Sequence, residues 1–218
     1  MSIKNNFINN FQKFFYKNLR NIIIIVLLFT ITVIIFQSYN YFAIQDLKKT
    51  STSFFNSINT DDKTLLELNK IKDKSNIFST LSTLKLIQEN NNKKNFTVSN
   101  ELYKEIIFNK KLDSLYKSSV AVHAAYTLIN GSYIENSIKF FEDISIYIEN
   151  ISDELENYYS IKKELEYLLL VTEIDLNKSK YKNNSKVIEI YNGIYDSDKI
   201  SSSVKERVKK IHEFQIYK

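Results

Sequence analysis

The sequence predicts an all-α protein in which one N-terminal transmembrane helix precedes a domain built from pairs of helices. Three observations support this prediction. Residues 21–36 read NIIIIVLLFTITVIIF and contain no charge, no Gly and no Pro. Beyond them, apolar residues recur every three or four positions, which is typical of amphipathic helices rather than strands. The 218 residues include no Pro and only two Gly, so the turn signals that β-hairpins need are scarce.

The apolar run has three possible explanations: a membrane anchor, a cleaved export signal or the buried core helix of a soluble protein. A helix of this length spans about 24 Å, less than the roughly 30 Å hydrocarbon core. The following QSYNYFAI extends it with Tyr39, Tyr41 and Phe42, aromatic residues that favour a membrane–water interface. Tyr41 occupies a position where a signal-peptide cleavage site needs a small residue. The sequence therefore predicts an uncleaved transmembrane helix over residues 21–43.

Basic residues at the two ends of this helix predict its orientation. Four lie before it, namely Lys4, Lys13, Lys17 and Arg20, whereas only Lys48 and Lys49 follow closely. The positive-inside rule then places residues 1–20 in the cytoplasm and residues 44–218 outside, which in a bacterium is the periplasm. Within residues 1–20, phenylalanines at helical spacing indicate a helix lying on the cytoplasmic membrane surface. These are Phe7, Phe11, Phe14 and Phe15.

The distribution of charge argues against nucleic-acid binding. Residues 1–36 carry four basic residues and no acid, and residues 199–218 carry six basic residues and two acids. Each segment therefore has a net charge of +4, which leaves residues 37–198 at −3 within the total of +5. A nucleic-acid-binding domain would carry its basic charge across a folded face. The main body of this chain is mildly acidic instead.

The helices after the anchor alternate between longer and shorter segments, which suggests a pairwise arrangement. The first members of the pairs are predicted to start near residues 77, 115, 161 and 202. The polar segments ENNNKKN, NGS, NKSKYKNNS and DSDK separate the predicted helices. The spacings between first members fall in the range of helical-repeat solenoids but are irregular. An ordinary antiparallel bundle of unrelated helices is the alternative.

One pair, SSVAVHAAYTLINGSYIENSIKFFEDI, has features of a tetratricopeptide repeat (TPR). Ala121 and Ala125 are small residues on the first helix, where a closely packed neighbour needs room. Gly131 is predicted to cap the end of that helix. Phe140 and Phe141 are predicted to lie late in the second helix, where a large ring would fill the interface of the pair. The domain of residues 44–218 is therefore predicted to be a degenerate TPR-like α-solenoid.

A short basic N-terminus, one anchor and degenerate repeats together resemble the ancillary SecYEG translocon subunit family (YfgM-like). The resemblance is strongest in FSTLSTLKLIQENNNKKNFTVSNELYKEII and continues through the pair quoted above. It implies a single-pass protein of the bacterial inner membrane that is not an enzyme. The implied partners are the SecYEG translocon, a periplasmic chaperone, and unfolded or translocating polypeptides. The chain departs from the family pattern because it has little Ala and lacks the Pro that normally ends the second helix.

No catalytic, cofactor or metal motif is apparent in the sequence. His123 and His212 are far apart, and neither has a nearby acid and nucleophile. The DSD at residues 196–198 lacks the loop Gly and later Glu of a calcium loop. We therefore expect no enzyme activity, no cofactor and no small-molecule substrate. The alternative function is a periplasmic sensor or scaffold subunit of an envelope complex unrelated to Sec.

Aromatic residues on the first helices are the candidate binding residues. Tyrosine combines apolar area with a polar tip, which suits contact with an extended polypeptide. A protein-binding groove is therefore predicted to contain Tyr116, His123, Tyr126 and Tyr167. The alternative is that these tyrosines occupy core positions that other proteins fill with Leu or Trp.

Overall fold

The computed structural model describes residues 2–58, 64–74, 76–182 and 184–218, with side chains described from residue 16 onwards. All regular structure in these residues is α-helical. The chain divides into two compact units, the second of which is Ser57–Lys218. The predicted surface helix formed by Phe7, Phe11, Phe14 and Phe15 depends on side chains outside the described set.

Helix α1 (Ser2–Ile58) is continuous, as the absence of helix-breaking residues between residues 38 and 55 predicts. Its part from Tyr16 to Ile58 is long and apolar enough to cross a membrane. None of its most apolar 18-residue window is buried within the protein, unlike the core helix of a soluble domain. The large apolar side chains of residues 23–29 all face outward.

Eight shorter helices form the second unit. They are α2 (Thr64–Lys72), α3 (Ile77–Asn92), α4 (Phe96–Ile107), α5 (Ser114–Glu135), α6 (Phe141–Glu149), α7 (Glu156–Leu176), α8 (Ser185–Asp196) and α9 (Ser202–Tyr217). Each packs against the next, and α7 additionally contacts both α5 and α9. The first members of the predicted pairs correspond to α3, α5, α7 and α9. Helix α2 is an additional helix that buries Leu68 and Ile71.

Side-chain caps explain where several of these helices begin. Asn76 and Asp113 accept hydrogen bonds from the backbone N–H groups of Phe78 and Tyr116, each at 3.0 Å. Asn184 caps α8 in the same way. Helix α7 begins five residues before its predicted start near residue 161. Its first two residues, Glu156 and Asn157, are polar and exposed, so the spacing of apolar residues does not reveal them.

The prediction that Gly131 caps α5 is wrong. Helix α5 continues to Glu135 and ends at Asn136, which adopts the left-handed conformation with a φ of 48°. Gly131 is buried within the helix, and a Cβ atom there would lie 2.9 Å from the Phe96 ring. The glycine therefore provides space for an aromatic ring of α4.

The predicted position of Phe140 and Phe141 is also wrong. Phe140 is buried immediately before α6, and Phe141 is the first residue of that helix. Buried Phe140 fills space near the α5–α6 turn, at the start rather than the end of the second helix. Ala121 and Ala125 are fully buried, as expected for positions where neighbouring helices pack closely.

Candidate functional site

Three of the four predicted groove residues lie on one face of α5. In an α-helix, positions 116, 123 and 126 are separated by seven and three residues and fall within about 80° of each other. Tyr116 is 56% exposed, His123 is exposed and Tyr126 is half-buried. Tyr167 lies elsewhere: its side chain is fully buried between helices and is not part of this exposed face.

The Tyr126 side chain marks the first of two polar contacts that join α5, α7 and α9. Glu164 of α7 is almost completely buried, with its side chain only 4% exposed. Arg207 of α9 donates to both carboxylate oxygens, from Nε to Oε1 at 2.7 Å and from Nη2 to Oε2 at 2.5 Å. The Tyr126 hydroxyl lies beside both groups. Burial, followed by the negative charge of Glu164, raises the pKa of Tyr126, so its hydroxyl stays protonated.

The second polar contact lies further along the same three helices. The Tyr133 hydroxyl donates to Oδ2 of Asp175 at 3.0 Å, and Gln215 Nε2 donates to the same oxygen at 2.8 Å. Lys218 Nζ donates to Oδ1 at 3.0 Å. Burial and the Asp175 carboxylate raise the pKa of Tyr133 to about 12, although a hydrogen bond with Thr172 opposes this shift.

These contacts establish that α5, α7 and α9 run in the same direction. The first contact joins residues 126, 164 and 207, and the second joins the later residues 133, 175 and 215. Residue numbers therefore increase in the same sense along all three helices. The intervening helices α6 and α8 return the chain to the start of each following helix.

We call the shared surface of these helices the α5–α7–α9 face. Helical spacing from the two polar contacts places several residues on it, all of them partly or largely exposed except buried Glu164. Its residues are Tyr116, His123, Tyr126 and Tyr133 of α5; Ile161, Glu164, Leu168 and Asp175 of α7; and Arg207, Ile211 and Phe214 of α9. The face combines aromatic and aliphatic area with charges that are already paired within the protein.

His123 is held in place by a residue behind the face. The hydroxyl of buried Tyr103 lies 2.6 Å from His123 Nδ1 and 3.2 Å from the Thr127 hydroxyl oxygen. His123 is exposed overall, although desolvation of its ring lowers its pKa and favours the neutral form. Neutral imidazole accepts the Tyr103 proton at Nδ1. His123 is therefore positioned as an uncharged polar contact on the face.

The acidic and basic residues of the two polar contacts have no recognisable pattern in the sequence. Tyr133 follows Tyr126 by seven residues, and this spacing places it on the same face of α5. Glu164, Asp175 and Arg207 come from helices distant in sequence, so no local pattern links them. Among the residues that the structure describes, no three His, Asp or Glu side chains cluster as metal ligands would.

The chain matches no family model, no curated protein and no solved structure. A proposal for its function therefore rests on the arrangement of its own residues and on the sequence resemblance to the ancillary SecYEG subunit family.

Proposed function

We propose that this protein is a membrane-anchored, non-enzymatic interaction module that binds polypeptide segments on the α5–α7–α9 face. The observation that carries the proposal is the set of exposed aromatic residues on α5 and α9, with aliphatic residues of the parallel helix α7 between them. Tyr116 and Phe214, on the first and last of these helices, are 56% and 65% exposed. Half-buried Ile161 and Leu168 lie on the helix between them. Such mixed aromatic and aliphatic area is typical of protein-binding surfaces.

The paired charges favour binding of apolar rather than strongly charged segments. Arg207 is neutralised by Glu164, and Asp175 is neutralised by Lys218. A partner that contacts the face meets tyrosine hydroxyls and apolar carbon but little uncompensated charge. The repeated helix pairs, with α5, α7 and α9 side by side, are also consistent with the TPR-like solenoid that the sequence predicts.

The resemblance to the ancillary SecYEG subunit family leads us to a more specific proposal. The protein is anchored in the bacterial inner membrane by residues 21–43, with its N-terminus in the cytoplasm and its helical unit in the periplasm. There it assists the translocon, a periplasmic chaperone and polypeptides emerging across the membrane. Helix α1 supports the anchoring, and the Sec assignment rests on the sequence resemblance alone.

One observation favours the alternative, a sensor or scaffold subunit of an envelope complex unrelated to Sec. A cavity of about 490 Å³ lies at the C-terminal ends of α7 and α9. Its lining includes Lys178, Lys180, Lys182 and Lys218 together with the apolar side chains of Ile174 and Ile216. A sensor would need such a cavity for its ligand, whereas a polypeptide-binding module would not.

A binding measurement on the full chain in mild detergent tests the proposal. The probe is a fluorescently labelled, carboxymethylated protein that cannot fold, and the readout is fluorescence anisotropy. We expect Tyr116→Ser combined with Phe214→Ser to weaken binding roughly thirtyfold, because each change removes about 1 kcal/mol of apolar contact. Tyr195→Ser is the matched control, since Tyr195 is a comparably exposed tyrosine of α8 outside the face.

Two results would contradict the proposal: no binding of the unfolded probe, or equal weakening by the face and control variants. The Sec assignment is tested separately by extraction of the native protein with mild detergent. Co-purification with the translocon or a periplasmic chaperone is expected. Recovery of the free protein, with polypeptide binding intact, would overturn the Sec assignment but not the binding function.

A further inference from the structure

A cluster of two buried phenols and one imidazole joins α9 to the helices beneath it. Tyr167 of α7 is fully buried, and Tyr181 of the α7–α8 loop is nearly so. Their hydroxyls hydrogen-bond to each other. Both hydroxyls also approach Nδ1 of His212 on α9, at 2.7 Å from Tyr181 and 3.3 Å from Tyr167. The His212 ring stacks on Tyr191 of α8, with the ring centroids 3.8 Å apart.

Counting protons shows that this arrangement requires neutral His212. When His212 is neutral, Tyr167 donates its proton to the Tyr181 oxygen, and Tyr181 donates its proton to the unprotonated Nδ1 of His212. Both phenol protons then have an acceptor. Protonation of Nδ1 adds a third proton and reverses this chain of hydrogen bonds. Tyr181 then donates to Tyr167, and the Tyr167 proton has no acceptor among the described residues. An unsatisfied buried donor is strongly unfavourable.

We propose that the Tyr167–Tyr181–His212 cluster is a proton-sensitive contact, which holds α9 in place while His212 is neutral and loosens it when His212 is protonated. Helix α9 supplies Arg207 and Gln215 to the two polar contacts described above. Loosening α9 would therefore disrupt the α5–α7–α9 face. The inference concerns the fold and does not depend on what that face binds.

The charged groups around His212 do not remove its preference for the neutral form. Burial lowers the pKa of His212, and the Glu213 carboxylate opposes this shift only in part. Three neighbouring elements contribute the titratable side chains Tyr167, Tyr181 and Tyr191. The charges of Lys209, Glu213 and Asp196 contribute to the pKa shift of Tyr191, and the charge of Asp175 contributes to the pKa shift of Tyr181.

The direction of the pH effect follows from this lowered pKa. When α9 detaches, His212 regains an ordinary pKa of about 6.5. As the pH falls below that value, the detached state binds a proton before the attached state does. Attachment therefore weakens as the pH falls through about 6.5, and the loss stops growing below the pKa of attached His212.

The molecule contains an internal control in its second histidine. His123 Nδ1 also accepts from a buried phenol, Tyr103, and Asn91 Nδ2 donates to the Tyr103 oxygen at 3.2 Å. Protonated His123 can instead donate to that oxygen, because the Tyr103 proton can turn to the Thr127 hydroxyl at 3.2 Å. Protonation at this site leaves no buried proton unsatisfied, so only the desolvation of His123 opposes it and α5 should lose less protection than α9.

Hydrogen–deuterium exchange of the full chain in detergent micelles at pH 7.5 and pH 5.0 tests the inference. Rates are normalised to the intrinsic exchange rate at each pH. We expect protection of α9 to fall roughly fivefold or more at pH 5.0, while protection of α4 and α5 falls by less. His212→Asn keeps a carbonyl oxygen near the Nδ1 position but cannot titrate, so α9 should stay protected at both pH values. His123→Asn is the matched variant and should behave like the wild type.

A second measurement keeps the test decisive if His212→Asn fails to fold. The chain has two histidines, so NMR of the histidine-labelled protein can follow both titrations. The inference requires the pKa of His212 in the folded chain to lie below its value in the urea-unfolded chain. A folded-state pKa of His212 equal to or above its value in the unfolded chain would overturn the inference. The inference would also be overturned if α9 of the wild type stayed fully protected at pH 5.0. It would be overturned as well if α9 of His212→Asn lost its protection at pH 5.0.

Discussion

The two polar contacts between α5, α7 and α9 stabilise the same three helices by different means. At the first contact, one buried carboxylate, Glu164, depends on two hydrogen bonds from a single cation, Arg207. At the second, Asp175 is shared among a phenol, an amide and an ammonium group. A concentrated contact should fail when one partner is removed, whereas a distributed contact should weaken in small steps.

Arg207→Ala should have the largest effect. It leaves the Glu164 carboxylate buried without its cation, and loss of a hydrogen-bonded partner of a buried charge is destabilising by about 2–3 kcal/mol when, as here, that partner is itself half exposed. Urea unfolding of the full chain in mild detergent, followed by circular dichroism, measures the change in the free energy of unfolding.

Two variants serve as controls for this prediction. Arg207→Lys keeps the charge but loses the two-bond geometry, so its effect should be smaller than that of the alanine variant. The double variant Glu164→Met with Arg207→Met removes both charges and should be more stable than Arg207→Ala alone. Equal stability of Arg207→Ala and the wild type would show that the pair does not hold α9.

Gln215→Ala should have an intermediate effect of about 1 kcal/mol on the free energy of unfolding. The amide is buried and donates at 2.8 Å, but Asp175 keeps its bonds from Tyr133 and Lys218. The same urea titration measures it. A loss as large as that of Arg207→Ala would mean that the second contact is not distributed.

Lys218→Ala should have the smallest effect, below about 1 kcal/mol, because the ammonium group is half exposed and screened by water. The effect should shrink further when the salt concentration is raised. An effect that is large or independent of salt would show that Lys218 is the main partner of Asp175.

Helix positions could be predicted from the sequence because apolar residues on their buried faces recur at a fixed spacing. The starts near 77, 115 and 202 agree with α3, α5 and α9 to within one residue. The prediction for Gly131 is wrong because a glycine in a turn-like NGS sequence signals a helix end, whereas here the glycine accommodates the Phe96 ring. That requirement comes from a different helix and has no local signature.

The candidate site was predictable only in part for the same reason. Tyr116 and Tyr167 are chemically identical, yet one is exposed and the other fully buried. Their environments depend on how each helix is rotated against its neighbours, which spacing within one helix does not determine. The partners of Tyr126 and Tyr133 are likewise separated from them by tens of residues.

Site-specific photo-crosslinking tests most directly the central claim that the α5–α7–α9 face binds polypeptides. A benzophenone amino acid replaces Tyr116 on the face or Tyr195 on α8 in the full chain within intact membranes, and crosslinked polypeptides are detected after denaturation. The account predicts crosslinks to several polypeptides from position 116 and few or none from position 195. Equal crosslinking from both positions, or none from position 116, would contradict it.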